Sequence, residues 1–238
     1  MAVLWDHRAN RTHYQVRRAG GSIRLYSNGV FHSQWNPNLA RADSVWDLLA
    51  YPVCTLSLRS PRMLVLGVGG GAALNRLAQL APGAHSVGVE RDPVHIDVAR
   101  TWFGVRSRLC LADAVAWVHN YRGAPFDYLV DDLFGHVDGE AARAVVADRA
   151  WIGALNALLA PQGTLVINHA ERADWRLNHA RAVGFRHRVC LSLPLYDNLI
   201  GVYRRQPISA RVWRETVTRS PVIPRALRPR LVEWATRR

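Results

Sequence analysis

Lysine is absent from this 238-residue chain, and all 31 basic residues are arginine. No mechanism here can use a lysine Schiff base, a lysine general base or the lysine of a P-loop. Cysteine is scarce, at three. Cys54, Cys110 and Cys190 are far apart, odd in number and set in apolar contexts. That pattern reads as reduced, buried cysteine in a cytoplasmic protein, not as a disulfide framework. Long apolar runs are missing too. None approaches the roughly 18 residues that span a membrane, and the opening MAVLWDHRANR lacks the apolar stretch of a secretory signal. The histidines never fall in H-x-x-x-H or H-E-x-x-H spacing, so no metal site is expected.

Acid is outnumbered: 18 Asp+Glu leave a formal net charge of +13. An all-arginine chain reads first as a compositional bias, with arginine taking lysine's surface roles. The excess is also uneven. Residues 201–238 hold ten arginines against Glu215 and Glu233, a net of +8, which leaves +5 for the other 200 residues. A basic C-terminal extension, residues 206–238, is expected to pack on the body, with ARVWRETVTR and ALRPRLVEWATRR as helices. An arm for nucleic acid is the less favoured reading. At 49% hydrophobic the chain has ample material for a core.

Residues 1–38 read as a small β-hairpin unit. HYQVRR, SIRLYS and VFHSQW are short and rich in β-branched and aromatic residues, and Asn28-Gly29 is a favoured two-residue hairpin turn. A helix over about Leu39–Tyr51 follows. From Arg62 strands and helices alternate: MLVLGV, HSVGVE, RLCLA, FDYLVDD and GTLVIN are each followed by a helical pattern, one of them a long helix within Gly139–Ala160. HRVCLSL and NLIGVYR close the unit as a hairpin. Five such alternations predict a parallel α/β sheet over residues 39–205.

The chemistry gathers at the carboxyl ends of these strands, where ligands bind in open α/β sheets. Gly67, Gly69, Gly70 and Gly71 lie between a buried strand and a helix. A loop of this kind lets a ligand approach the backbone and the free N–H groups of the helix start. Glu90 ends the second strand, where a carboxylate can accept from both ribose hydroxyls. Asp113 follows the third strand and can accept from an adenine amino group. Asp131 and Asp132 end the fourth. The glycine spacing is G-x-G-x-G and not the G-x-G-x-x-G of dinucleotide folds, and together with the Asp after the third strand this favours S-adenosylmethionine over NAD.

At these residues the chain resembles the class I S-adenosylmethionine-dependent transferases, a Rossmann-like α/β fold with a seven-stranded sheet. More narrowly, over about Tyr14–Arg204, it resembles the spermidine synthase (polyamine aminopropyltransferase) family. The resemblance rests on HYQVRR and LYSNGVFH, MLVLGVGGGAA, VGVERDPVHIDVAR, ADAVAWV and FDYLVDDLFG. It implies that the glycine loop passes the methionine-like part of the cofactor, that Glu90 with Arg91 holds the ribose and Asp113 with Ala114 the adenine, and that Asp131 lies beside them. Asp132 falls on the family's catalytic aspartate, which orients and helps deprotonate the attacking amine.

There are departures. Gly70 and Gly135 stand where that family has aspartates, His32 stands near its usual Gln, and Asp43 and Asp47 only roughly replace its next acidic elements. These losses favour methyl transfer to an amine or other small acceptor, with S-adenosylmethionine as cofactor. Aminopropyl transfer from decarboxylated S-adenosylmethionine to a polyamine is the alternative, and a non-catalytic nucleotide-sensing module a second one. His136 is a candidate base, and His32, Asn168 and Tyr196 are candidate acceptor-binding residues. A homodimer is expected from the family's N-terminal hairpins.

Overall fold

The structure, a computed structural model, describes residues 1–38, 44–56, 58–137, 139–181, 184–206, 211, 215, 218–219 and 230–236. The N-terminal unit is a four-stranded antiparallel meander: β1 (Ala2–Ala9), β2 (Thr12–Ala19), β3 (Ser22–Ser27) and β4 (Val30–Trp35). The first strand exceeds the sequence expectation. Its turn, Asn10-Arg11, has φ of 48° and 63°, the same mirror-image geometry as Asn28-Gly29 at 50° and 83°, but an arginine at positive φ carries no turn signal.

The helix expected over Leu39–Tyr51 is α1 (Val45–Ala50), followed by a 3-10 turn over Tyr51–Thr55; residues 39–43, including Asp43, lie outside the described residues. The α/β unit follows: β5 (Arg62–Leu66), α2 (Ala72–Leu80), β6 (His85–Glu90), α3 (Pro93–Thr101), β7 (Arg108–Leu111), α4 (Ala114–Asn120) and β8 (Phe126–Asp131). The long helix expected within Gly139–Ala160 is not formed. A hairpin of β9 (Phe134–Val137) and β10 (Glu140–Arg143) takes its first part, and α5 is only Arg149–Ala157. Gly139, at φ 83°, makes the turn that a helix would forbid. Then come β11 (Leu159–His169), α6 (Arg172–Arg181), β12 (His187–Ser192) and β13 (Leu199–Arg204).

The main sheet runs β12-β13-β11-β8-β5-β6-β7. The five strands from β11 to β7 are parallel, and β13 is antiparallel to both of its neighbours. An eighth strand, β14 (Arg230–Thr236), joins the edge beside β12. This corrects the second tail helix. Pairing with β12 covers an edge that would otherwise expose unpaired backbone groups. The tail's apolar residues Trp213, Val217 and Leu227 and the side chains of Leu231 and Trp234 lie outside the described residues.

The central parallel strands are buried on both faces. Met63–Leu66 and Leu165–Ile167 are essentially inaccessible, which accounts for their continuous apolar runs. The N-terminal sheet is tied to this body by buried polar contacts. Arg76 of α2 is fully buried; it donates through Nε to Asp47 at 2.6 Å and through Nη2 to the Asn36 carbonyl at 2.9 Å, with its guanidinium 4.7 Å over the Trp35 ring. Tyr14 donates to Asp92 at 2.8 Å. The chain order β5, β6, β7 and then β8 reverses direction between β5 and β8, and this switch point is where the site forms.

Candidate active site

Gly67 directly follows β5, with φ of 82°. A Cβ placed there would lie 2.2 Å from the Asp132 carbonyl oxygen, so only glycine lets the ends of β5 and β8 come this close. Two cavities meet at this point. A larger one of about 440 Å³ and a smaller one of about 170 Å³ share Gly67 and Glu90 as walls.

Glu90 is fixed at the junction by four backbone donors. Its Oε2 accepts from Val68 N at 3.0 Å and Gly69 N at 2.9 Å, and its Oε1 from Arg91 N at 2.9 Å and Asp92 N at 3.0 Å. A carboxylate has about four acceptor positions, so a ribose placed here would share oxygens that already clamp the glycine loop to the start of α3. The smaller cavity continues past Arg91, Asp113 and Ala114. Asp113 is the N-cap of α4, accepting from Ala116 N at 2.9 Å through Oδ1. That bond engages one oxygen of an exposed carboxylate whose residue lines the cavity. The size, the glycine cradle and these two acids fit a nucleoside.

The larger cavity is walled by Phe31 and His32 of β4, Trp46 of α1, Phe134 of β9, Asn168 of β11 and the loop after β12 with Tyr196 and Asn198. Asp132 stands in it. Its Oδ1 accepts from Asn168 Nδ2 at 2.7 Å. Burial pushes its carboxyl up to about 6; the bond from Asn168 opposes this, the charge of Asp131 adds to it, and Arg143 and a bond from Trp46 oppose it more weakly. A carboxylate so raised is matched to accepting a proton near neutral pH.

Several expected residues are not brought to the cavities. Asp131 points to the other face of β8, as strand alternation requires. It is fully buried, accepting from Arg143 Nη2 and Trp151 Nε1, each at 2.8 Å, through Oδ2, and it cannot touch a ligand. Gly70 and Gly71 are buried behind the loop. A Cβ on Gly70 would lie 2.6 Å from the Phe103 ring, and one on Gly71 2.3 Å from Val105. Phe103 thus fills the space beside the position where the spermidine synthase pattern has an aspartate. Overpacking predicts that Gly70→Asp loses about 1–3 kcal/mol of stability; an unchanged thermal unfolding midpoint would refute this. Asp47 is not an acceptor residue either, because Arg76 and Ser44 engage its carboxylate. The His136 side chain lies outside the described residues, although its backbone pairs with Ala141.

Besides the aromatic lining, two titratable residues of the larger cavity went unforeseen. His95, in the first turn of α3, lines the larger cavity with its ring centroid 5.3 Å from that of His32 and its Nε2 2.9 Å from Ser27 Oγ. Only its position five residues after Glu90 hinted at this. Glu140, on β10, brings an acid to the same cavity; the helix expected there hid it.

No family model matches the chain. It is 25% identical to polyamine aminopropyltransferase 2 of Caldanaerobacter subterraneus over 147 residues, 59% of this chain and 48% of that protein. It is 30% identical to the polyamine aminopropyltransferase of Vibrio vulnificus over 113 residues, 45% and 37% respectively. The matched segments thus span half or less of the length of these curated relatives. A crystal structure of a probable spermidine synthase from Corynebacterium glutamicum superposes with a TM-score of 0.70 over 93% of this chain and 84% of that one, at 16% identity. Human methyltransferase-like protein 13 superposes at 0.58 over 79% and 92%, at 18% identity. By fold, the chain is a Rossmann-like α/β protein of the class I methyltransferase type. By sequence it is spermidine synthase-like. The preference for methyl transfer drawn from Gly70 and Gly135 is not supported, since both sequence relatives are named as aminopropyltransferases.

Proposed function

We propose that the chain is an aminopropyl-type transferase that takes decarboxylated S-adenosylmethionine and alkylates the nitrogen of an amine acceptor. The observation that carries this reading is Asp132, a carboxylate of raised proton affinity in the larger cavity, beside a nucleoside-sized cavity walled by Glu90 and Asp113. The relatives' names supply the choice of transferred group.

The cofactor when bound supplies an alkyl group already activated on a sulfonium. What remains for the protein is alignment, exclusion of water and removal of a proton. Gly67 and Gly69 give the backbone close approach, Glu90 fixes the loop, and Asp113 and Ala114 bound the adenine end. Asp132 accepts a hydrogen bond from the incoming ammonium or amine and then its proton. Phe31, Trp46, Phe134 and Tyr196 give the acceptor's side an aromatic lining, which favours a cation held against ring faces.

Calorimetric titration with S-adenosylmethionine and with its decarboxylated form tests the choice. The decarboxylated form is expected to bind at least tenfold more tightly. Preference for S-adenosylmethionine would restore methyl transfer, and binding of either without turnover on any amine would make the chain a sensor.

A further inference from the structure

Asp132 does not stand alone. Asn168 Nδ2 donates to its Oδ1 at 2.7 Å, and Asn198 Nδ2 donates to Asn168 Oδ1 at 3.0 Å. The two amides come from different places. Asn168 is near the end of β11, opposite Ile200 of β13, and its carbonyl accepts from Arg143 Nη1. Asn198 is in the loop between β12 and β13, which also carries Tyr196 to the cavity wall.

A carboxamide has one end that accepts and one that donates. With Asn198 donating to its oxygen, Asn168 can present only its NH₂ to Asp132. Asn168 is 3% exposed, so an amide that loses either partner has little access to bulk solvent in exchange. Reversing the amide would set Asn198's NH₂ against Asn168's NH₂ and Asn168's oxygen against the carboxylate, two mismatches at once.

We infer that Asn198 is a positioning residue: acting through the Asn168 carboxamide, it fixes the orientation of the Asp132 carboxylate and couples that carboxylate to the loop lining the acceptor cavity. The inference rests on the reading of Asp132 as the proton acceptor. The other charged or titratable groups around Asp132 are Asp131 and Arg143 behind it and His32, Glu90, His95, Glu140 and Tyr196 on the larger cavity. Trp46 gives Asp132 a second, weaker side-chain bond, so the bond from Asn168 is the one whose loss should move it most.

The test is a double-mutant cycle read on Asp132 itself. The full chain carries ¹³C-carboxyl aspartate, with the Asp132 signal assigned by its loss in Asp132→Asn. Its titration midpoint is measured in the parent, Asn168→Leu, Asn198→Leu and the double variant. Removing Asn168 deletes a hydrogen bond to a charged group, so its midpoint is expected to rise by about one pH unit. Asn198→Leu is expected to raise it by about half as much, and the double variant to match Asn168→Leu alone, because Asn198 acts only through Asn168. No shift in Asn198→Leu, or an equal shift in both backgrounds, overturns the inference. Asn198→Ala, which removes the donor without adding bulk, is measured in the same way should the leucine variant fail to fold.

Kinetics gives a second readout. With amine and decarboxylated cofactor, Asn198→Leu is expected to lower kcat about tenfold and to move the acid limb of the rate profile upward, with KM unchanged. A change confined to KM would make Asn198 an acceptor contact and overturn the positioning role. If the titration cycle behaves as expected but the parent transfers nothing, the relay stands and the proposed reaction falls.

Discussion

Asp132→Asn is expected to lower amine turnover about 10²–10⁴-fold and to leave binding of the nucleoside cofactor unchanged. Asparagine keeps the shape and can still accept from Asn168, but it cannot take a proton or balance a cation. The cofactor's expected contacts, Gly67, Glu90 and Asp113, lie at the ends of other strands, so calorimetric affinity should be that of the parent. Normal turnover in the variant would remove Asp132 from the reaction. Lost turnover together with lost cofactor affinity would instead point to a damaged site.

The same substitution has a stability signature. The carboxyl is raised from 3.8 to about 6 in the fold, chiefly by burial, so the folded protein binds that proton more tightly than the unfolded chain. The native state is therefore penalised as pH rises from about 4 through about 6, and the penalty persists above. Roughly two pH units correspond to about 3 kcal/mol at most. Asp132→Asn should thus be more stable than the parent by about 1–3 kcal/mol at pH 8 and equal to it near pH 4 in urea unfolding. Equal stability at both pH values would mean that the carboxyl is not raised. The parent's activity should fall as pH drops below about 6, because the protonated acid cannot accept.

The sequence carries the strand order well, and with it the placing of Gly67, Glu90 and Asp113 on the cavity walls. Gly67, Glu90 and Asp113 are each set by a single strand end, and their place follows once MLVLGV, HSVGVE and RLCLA are read as consecutive parallel strands. The acceptor end is less legible, because it is built from elements far apart in the chain. Nothing near Gly70 reveals that Phe103 fills the space beside it, and nothing near Asp47 reveals Arg76. The pair Asp131-Asp132 shows the limit most clearly. Period-two alternation sends one carboxylate into the cavity and the other behind the sheet, but which goes where depends on Arg143 and Trp151. The helical reading of Gly139–Ala160 placed those residues on one helix, whereas a hairpin and a short helix hold them. β14 was hidden for a related reason: an edge strand exists only by virtue of the strand beside it.

Arg143 is the other position where one substitution should have a large effect. Its side chain is 7% exposed and that of Asp131 is fully buried. The guanidinium makes three different bonds: Nη2 to Asp131 at 2.8 Å, Nε to the Val145 carbonyl at 3.1 Å, and Nη1 to the Asn168 carbonyl. It also lies 5.8 Å from the Phe134 ring centroid. One residue thus pins the β9–β10 hairpin, the segment leading to α5 and the end of β11 around a buried charge. Arg143→Ala leaves Asp131 with Trp151 as its remaining side-chain donor. Removing one partner of a buried pair costs about 3–5 kcal/mol, since the other is left charged and uncompensated. Equilibrium urea unfolding should show that loss, and turnover should drop as well, because the hairpin walls the acceptor cavity and Asn168 contacts Asp132. The double variant Asp131→Asn with Arg143→Met separates the two causes. It removes both charges, keeps an acceptor for Trp151 and fills much of the arginine's volume, so it should regain more than half of the lost stability. It does not restore the bonds from Nε and Nη1, so the hairpin stays unpinned and turnover stays low. A single Arg143→Ala variant of parental stability would show that this buried pair holds nothing. A double variant as unstable as the single one would place the cost in the lost backbone contacts and not in the stranded carboxylate.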